Sequence, residues 1–281
     1  MNYRKPGKEL SYGGIYGAKG VVKTALDKFV TGDIDKSRAV TGIPPVDRKL
    51  GGMFAGEVGI LAASTGAGKS SVALHSVMES GGLYISCEDS QAVVGTRILS
   101  HITGIDSLKI RKGDLTDEER STMMGASKVA DGASFSFHIG SSMETIAESI
   151  KAYAATQDKP RTVWLDYIQC ISGGGNDRRN EVANIFRDFR TACARNNMAG
   201  IAISQFRRGV KEGTFPSRYH LKESGDLENE ARLILLGYRD NSGDSDTLRF
   251  RIDKSTFGGE GLTFSYRRNE AGKLYYVKRA V

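Results

Sequence analysis

The stretch Ala63-Ser64-Thr65-Gly66-Ala67-Gly68-Lys69-Ser70 has the residue types that cradle a phosphate chain. It reads A-x-x-x-x-G-K-S, follows the apolar run Val58-Gly59-Ile60-Leu61-Ala62 and precedes a helical pattern. Small residues let backbone N–H groups turn inward around phosphate oxygens. The helix that follows aims the positive end of its dipole at the same anion. In such a loop Lys69 reaches the β- and γ-phosphates of a nucleotide, and the Ser70 hydroxyl holds Mg²⁺. One position departs from the usual pattern, Ala63 standing where the first glycine is expected. A glycine-rich strand-to-helix turn that binds nothing is the bland alternative.

Three more strand ends carry polar groups suited to the same chemistry. Thr162-Val163-Trp164-Leu165-Asp166 is an apolar strand ending in a carboxylate. In a P-loop ATPase that carboxylate orders Mg²⁺ directly or through water. Leu83-Tyr84-Ile85-Ser86-Cys87-Glu88 places a second carboxylate at the end of the strand after the P-loop helix. Ligands bind at the C-terminal edge of a parallel sheet, so Glu88 is expected to face the γ-phosphate and orient the attacking water. Asp89 competes for that role, with a helix cap as its alternative. Ile201-Ala202-Ile203-Ser204-Gln205 ends in an amide that could sense the γ-phosphate and relay its state to the following loop; a simple polar strand terminus is the alternative.

These tips need a sheet to hold them. Buried strands are expected at Val58–Ala63, Leu83–Cys87, Phe135–Ile139, Thr162–Leu165 and Gly200–Ser204, and helices around Ser71–Ser80, Val93–Ile102, Asp117–Ala130, Thr145–Thr156 and Val182–Asn196. Such alternation implies an α/β fold with a parallel sheet wrapped by helices. After residue 230 the pattern changes to strands separated only by turns: Leu233–Tyr238, Thr247–Ile252, Leu262–Arg267 and Leu274–Lys278. An antiparallel extension of the sheet follows from them, with turn signals at Asn241-Ser242-Gly243-Asp244 and Asn269-Glu270-Ala271-Gly272. Residues 1 to about 17 read as a flexible arm. Ala18–Val30 carries Val22, Leu26, Phe29 and Val30 at helical spacing, an apolar stripe that must be covered by its own domain or by a neighbouring subunit.

Composition narrows the class. The 281 residues are 39% hydrophobic and 26% charged, as in a soluble globular protein. No apolar run is long enough to span a membrane, and Met1–Gly20 has no hydrophobic segment of the secretory kind. Cys87, Cys170 and Cys193 are widely spaced and read as buried thiols in a reducing compartment. His75, His101, His138 and His220 are scattered along the chain and suggest no metal site. The net charge of +7 suits a polyanionic partner, the more so because Arg178, Arg179, Arg207, Arg208, Lys211, Arg218 and Lys222 are expected in loops.

The order of these motifs resembles the C-terminal ATPase domain of DnaB-type replicative helicases, within the RecA-like superfamily. The resemblance covers roughly Ala39 to Tyr276. It rests on Val40-Thr41-Gly42-Ile43, the loop Ala63–Ser70, Ser86-Cys87-Glu88, Leu165-Asp166-Tyr167-Ile168-Gln169, Ser204-Gln205-Phe206-Arg207-Arg208, Leu221-Lys222-Glu223-Ser224-Gly225 and Tyr238-Arg239-Asp240. Alanine at the first P-loop position is usual in that family. The resemblance implies a RecA-like P-loop NTPase core over 39–281, preceded by an arm and linker helix over 1–38 that docks on the next subunit. It implies a homo-hexameric ring that uses ATP or another NTP with Mg²⁺ to move along single-stranded DNA and unwind duplex at the fork. Glu88 would be the catalytic glutamate, Asp166 with Ser70 the metal-binding pair, and Gln205 the γ-phosphate sensor. Arg207, Arg208, Lys222, Glu223 and Gly225 would form the DNA-binding loops. Primase, a helicase loader and DNA polymerase are its candidate partners, in a bacterial cytoplasm.

Three features depart from the family. No primase-recruiting N-terminal domain precedes the core, which suggests a trimmed, phage- or plasmid-encoded form. The family's Lys-x-Arg, which acts on the neighbouring subunit's γ-phosphate, here reads Lys254-Ser255-Thr256. Lys254 keeps the lysine, Thr256 stands at the arginine, and Arg249 or Arg251 are candidate substitutes. Arg232 falls where relatives often carry an acidic residue. The other functions compatible with the core are a filament-forming recombinase or annealing ATPase, and a nucleotide-gated DNA-binding adaptor.

Overall fold

The structure is a computed structural model that describes Val22, Lys23, Leu26 and Val30 together with residues 37–131, 135–172, 177–207, 216–221, 225–239, 247–269 and 273–277. The expected arm, the turn at Asn241–Asp244, Arg208, Lys211, and Lys222 with Glu223 lie outside the described residues.

A nine-stranded sheet carries the molecule. Its strands are β3 (Val58–Ala63), β4 (Gly82–Ser86), β5 (Phe135–Ile139), β6 (Thr162–Asp166), β7 (Ala199–Gln205), β8 (Leu233–Arg239), β9 (Thr247–Ser255), β10 (Thr263–Arg268) and β11 (Leu274–Val277). They are ordered β11-β10-β9-β8-β3-β7-β6-β4-β5. From β8 to β5 every pairing is parallel, whereas β9, β10 and β11 add antiparallel strands at one edge. The expected α/β architecture with an antiparallel C-terminal extension is therefore the observed one. A separate ribbon pairs β1 (Arg38–Ala39) with β2 (Met53–Phe54).

The central strands are buried at nearly every position, and mostly apolar, because helices cover both faces. Period-two alternation sorts their side chains. Ile60, Ala62, Leu83, Ile85, Val163 and Leu165 point to a core closed by α6 (Met143–Ala154) and α7 (Arg178–Arg195). Leu61, Tyr84 and Trp164 point to the other, closed by α2 (Lys69–Ser80) and α3 (Gln91–Thr103). The remaining helices are α1 (Pro44–Leu50), α4 (Ser107–Lys112), α5 (Asp117–Asp131) and α8 (Gly225–Glu230). The short α1, α4 and α8 have no apolar periodicity of their own, so the sequence pattern passes over them.

The Val40-Thr41-Gly42-Ile43 motif has a structural reason. The Asp47 carboxylate accepts from Thr41 N at 2.7 Å, Thr41 Oγ1 at 2.9 Å and Gly42 N at 3.0 Å, which folds the segment tightly onto α1. Gly42 has φ +76°, and a Cβ there would lie 2.3 Å from the Ser76 carbonyl of α2. Glycine at this position lets the backbone press against the helix that carries the P-loop lysine.

Candidate nucleotide site

Four adjacent parallel strands, β3, β7, β6 and β4, end on the same edge of the sheet. Their tips deliver Ala63, Gln205, Asp166 and, two residues past β4, Glu88. The loop Ser64–Gly68 leads into α2, with Gly68 as N-cap at φ 88°. Glycine is required at 68: the backbone is left-handed, and a Cβ would meet Leu248 Cδ1 at 2.6 Å. One pocket is lined by Thr65, Gly66, Gly68, Lys69, Ser70, Glu88, Asp166 and Gln205, so the residues expected at one site from distant parts of the sequence do converge.

Lys69 is 7% exposed and donates from Nζ to the carbonyls of Ala63 at 3.0 Å and Ser64 at 2.9 Å. Burial pushes its pKa down to about 8, against the opposing pull of Asp166 and Glu88. Asp166, 4% exposed, accepts from the Tyr84 hydroxyl at 2.5 Å and from the Ser70 hydroxyl. Burial holds its carboxyl above the usual carboxylate range. The peptide that follows it, to Tyr167, is cis.

The two acidic candidates that follow β4 separate. Glu88 is exposed and lines the pocket. Asp89 does not cap α3, whose N-cap is Ser90. Its carboxylate instead holds Arg97 at 2.5 Å, and its main chain is tied to Ser86 Oγ at 3.1 Å. Arg97 itself lines the pocket, as do Arg268, Ser71 and Tyr167. Tyr167 lies in the Leu165–Gln169 motif, but no motif in the sequence marks Arg97, Arg268 or Ser71 for the site. Arg97 sits six residues into α3 and Arg268 at the last position of β10, where a solvated charge is the ordinary reading.

Polar contacts lead away from the sensor position. Gln205 bonds the Tyr167 side chain, which in turn bonds Cys170. Gln169 Nε2 donates to Ser204 Oγ at 2.8 Å, and Arg178 donates to the Gln169 carbonyl at 2.6 Å. The tip of β7 is thus joined to the start of α7.

Two sequence expectations are corrected, the loop placement of Arg178 and Arg179 and the burial of all three cysteines, and the remaining named residues are placed as follows. Arg178 and Arg179 open α7 instead of lying in a loop, and Arg178 is spent on Glu181, Gln169 and Ile171. Arg218 is paired with Asp253 at 2.8 Å. Arg251 bonds Asp253 and the Pro216 carbonyl, so it is held within its own chain. Lys254 lies outside the nucleotide pocket of its own chain and donates to the Glu228 carbonyl at 2.5 Å. Of the expected DNA-contacting residues, Arg207 is exposed at the end of β7 and Gly225 opens α8. Of the cysteines only Cys193 is buried; Cys87 and Cys170 are half-buried. Among the described residues no helix is long and apolar enough to cross a membrane.

The depressed Lys69 pKa is expected to make anion binding at this pocket sensitive to pH. In the free protein the folded pKa is about 8 against an ordinary 10.5, so the proton is lost earlier in the folded than in the unfolded state. The charged lysine opposes folding below pH 8, and stability from this group rises between about pH 8 and 10.5. A polyphosphate bound beside the ammonium would restore the proton. Nucleotide affinity is therefore expected to fall as pH rises through about 8, with proton uptake on binding in that window. Calorimetric titrations in two buffers of different ionisation enthalpy measure that uptake directly.

The family description "DnaB-like helicase C terminal domain" matches residues 39–267. A probable plasmid replicative DNA helicase of Chlamydia trachomatis is 27% identical over 229 residues, covering 78% of this chain and 50% of that protein. The replicative DNA helicase DnaB of Buchnera aphidicola is 26% identical over 232 residues, covering 77% and 50%. The chain spans about half the length of the curated relatives it matches. A solved structure of an ATPase domain superposes with TM-score 0.81 at 21% identity, over 93% of this chain and 99% of that one. A DnaB-like replicative helicase, solved in work on its interactions with primase, gives 0.79 at 21%, over 94% and 68%. At that identity the two structures speak for the fold.

Proposed function

Because the chain belongs to the DnaB-like helicase C-terminal domain family, we propose that it is the NTP-driven motor of a ring-shaped replicative DNA helicase, moving on single-stranded DNA and opening duplex at the fork. One observation carries the motor reading: Lys69, Ser70, Glu88, Asp166 and Gln205 arrive from four strand tips around one pocket. The P-loop amides and Lys69 bind the triphosphate. Glu88 holds the attacking water and accepts its proton. The oxygen pair of Ser70 and the buried Asp166, already bonded to each other, suits a hard divalent cation, and these two would hold Mg²⁺. When bound, that ion supplies charge neutralisation on the phosphate oxygens. Gln205 contacts the γ-phosphate and passes its presence through Tyr167, Gln169 and Arg178 to the segments that flank residues 173–176 and 208–215. Those segments, with Arg207, Arg208, Lys222, Glu223 and Gly225, grip the DNA backbone, which makes binding salt-sensitive and largely indifferent to sequence.

Assembly into a homo-hexamer is supported by two features of the single chain. Val22, Leu26 and Val30 are helical and 56%, 53% and 72% exposed, an apolar stripe at i, i+4, i+8 that a neighbouring copy would cover. Lys254 lies away from its own nucleotide pocket, as a residue acting across an interface must. Lys254→Ala is accordingly expected to leave nucleotide binding intact while lowering turnover about a hundredfold. Mixed with wild type at fixed total protein, it should depress turnover more steeply than dilution alone. Phosphate release across a mixing series measures this.

The reading as a whole is tested by NTP-dependent unwinding of a forked duplex by the purified chain. Unwinding establishes the motor. Closed rings with DNA-stimulated hydrolysis but no unwinding point to a motor that needs a loader or primase. Open filaments on DNA overturn the reading in favour of a recombinase.

A further inference from the structure

His75 and His101 are far apart in sequence and adjacent in the fold. His75 lies in the middle of α2 and Glu79 one turn further on, at i+4, so both look out from the same helix face. His101 comes from the last turn of α3, which packs on that face. The imidazole centroids are 5.3 Å apart, and His101 Nε2 is 3.5 Å from Glu79 Oε1. One ligand atom from each of the three residues lies within 4.8 Å of the other two. His75 is 9% exposed, and its Nδ1 is buried without a hydrogen-bond partner among the described residues.

We propose that His75, Glu79 and His101 form a binding site for a borderline transition-metal ion such as Zn²⁺ or Co²⁺, joining α2 to α3 behind the nucleotide pocket. Two imidazole nitrogens and one carboxylate oxygen are a donor set for such ions and a poor one for Mg²⁺. Ligand bonds of about 2.0–2.1 Å place tetrahedral donors about 3.4 Å apart. The exposed Glu79 has the freedom to close the remaining distance. Both rings are already in the form that ligates. Burial lowers the pKa of His75 to about 4 and that of His101 below its ordinary value, so both are neutral at pH 7. The charges felt by the two rings are Glu79, which favours a cation, and Lys273 from the start of β11, which opposes one. Arg97, which also lines this cavity, is neutralised by Asp89.

The place gives the ion a consequence. α2 begins at Lys69 and Ser70, and α3 begins just after Glu88 and Asp89, with Arg97 linking back to Asp89. An ion across the two helices would brace the elements that present the phosphate-binding lysine and the carboxylate pair, without touching nucleotide.

The test is Co²⁺ titration of the metal-stripped full chain in excess Mg²⁺, followed by visible absorption. Wild type should bind one equivalent saturably, with the intense bands of a low-symmetry nitrogen–oxygen site. His101→Ala, at a half-buried position, and Glu79→Gln, at an exposed one, should lose the bands, whereas Cys87→Ser and Cys170→Ser should keep them. Lys273→Ala should tighten binding. Zn²⁺ should raise the thermal midpoint of wild type and leave that of His101→Ala unmoved. No saturable binding in excess Mg²⁺, or bands that survive His101→Ala, would overturn the proposal and leave the histidines as packing partners of Tyr266, 5.6 Å from His75.

Discussion

Lys69→Ala should leave a folded chain that neither holds nor turns over nucleoside triphosphate. The lysine is buried at the start of α2, where its ammonium is desolvated and its pKa drops to about 8. Keeping the desolvated charge there costs on the order of 3 kcal/mol at neutral pH. The fold gains little in return, since Nζ reaches only two carbonyls of the loop it follows. A triphosphate would supply what those carbonyls do not. Without Lys69 the polyanion would face Asp166 and Glu88 with no compensating cation from the loop. Turnover should fall more than about a thousandfold, because the interaction is worth most on the charge that develops during transfer. Steady-state phosphate release and binding of a fluorescent nucleotide measure the two losses. The melting midpoint at pH 7 should equal or exceed that of wild type, because alanine suits the first helical position and a desolvated charge is gone. Turnover within tenfold of wild type would remove Lys69 from the site.

Much of this arrangement is legible in the sequence, for identifiable reasons. Strands buried on both faces write themselves as nearly unbroken apolar runs, so β3 falls on the expected residues and β4, β6 and β7 differ by one residue at their ends; the partly exposed edge strand β5 matches as well. Ser64–Gly68 declares its own geometry through glycines whose positive φ no other residue would tolerate cheaply. Residues that act at strand tips are legible too, because a polar group ending an apolar run is conspicuous. What the sequence conceals is side-chain reach. Arg97 and Arg268 enter the pocket from α3 and from the end of β10, and neither spacing nor composition marks them. His75 and His101 are scattered in the chain and meet only when α2 and α3 pack together. The basic loop inferred around Arg178 and Arg218 dissolves for the opposite reason: both guanidinium groups are consumed by carboxylates and carbonyls of their own chain. A count of arginines cannot separate those that meet a partner from those that hold the fold.

Glu88→Gln should bind nucleotide as well as wild type or better, and turn it over about a thousandfold more slowly. Glutamine keeps the size and the hydrogen-bonding reach of the side chain, so the pocket is preserved. Only the ability to accept a proton from water is lost, and a positioned base contributes roughly two to four orders of magnitude. Removing one negative charge beside the triphosphate favours binding, so the variant should accumulate as an NTP-bound complex. Asp89 supplies the control that decides between neighbouring carboxylates. Its oxygen is 2.5 Å from Arg97, and a carboxylate oxygen engaged by a guanidinium is not free to hold the attacking water. Asp89→Asn should release Arg97 into the pocket and change nucleotide affinity more than the rate of hydrolysis. Single-turnover hydrolysis, with binding measured separately on both variants, distinguishes the two patterns. If Asp89→Asn stops chemistry and Glu88→Gln does not, the base is Asp89, and the exposure of Glu88 at the mouth of the pocket has another purpose. If both stop chemistry while binding survives in each, the Arg97–Asp89 pair positions Glu88 from behind, and the four strand tips act with α3 as one catalytic unit.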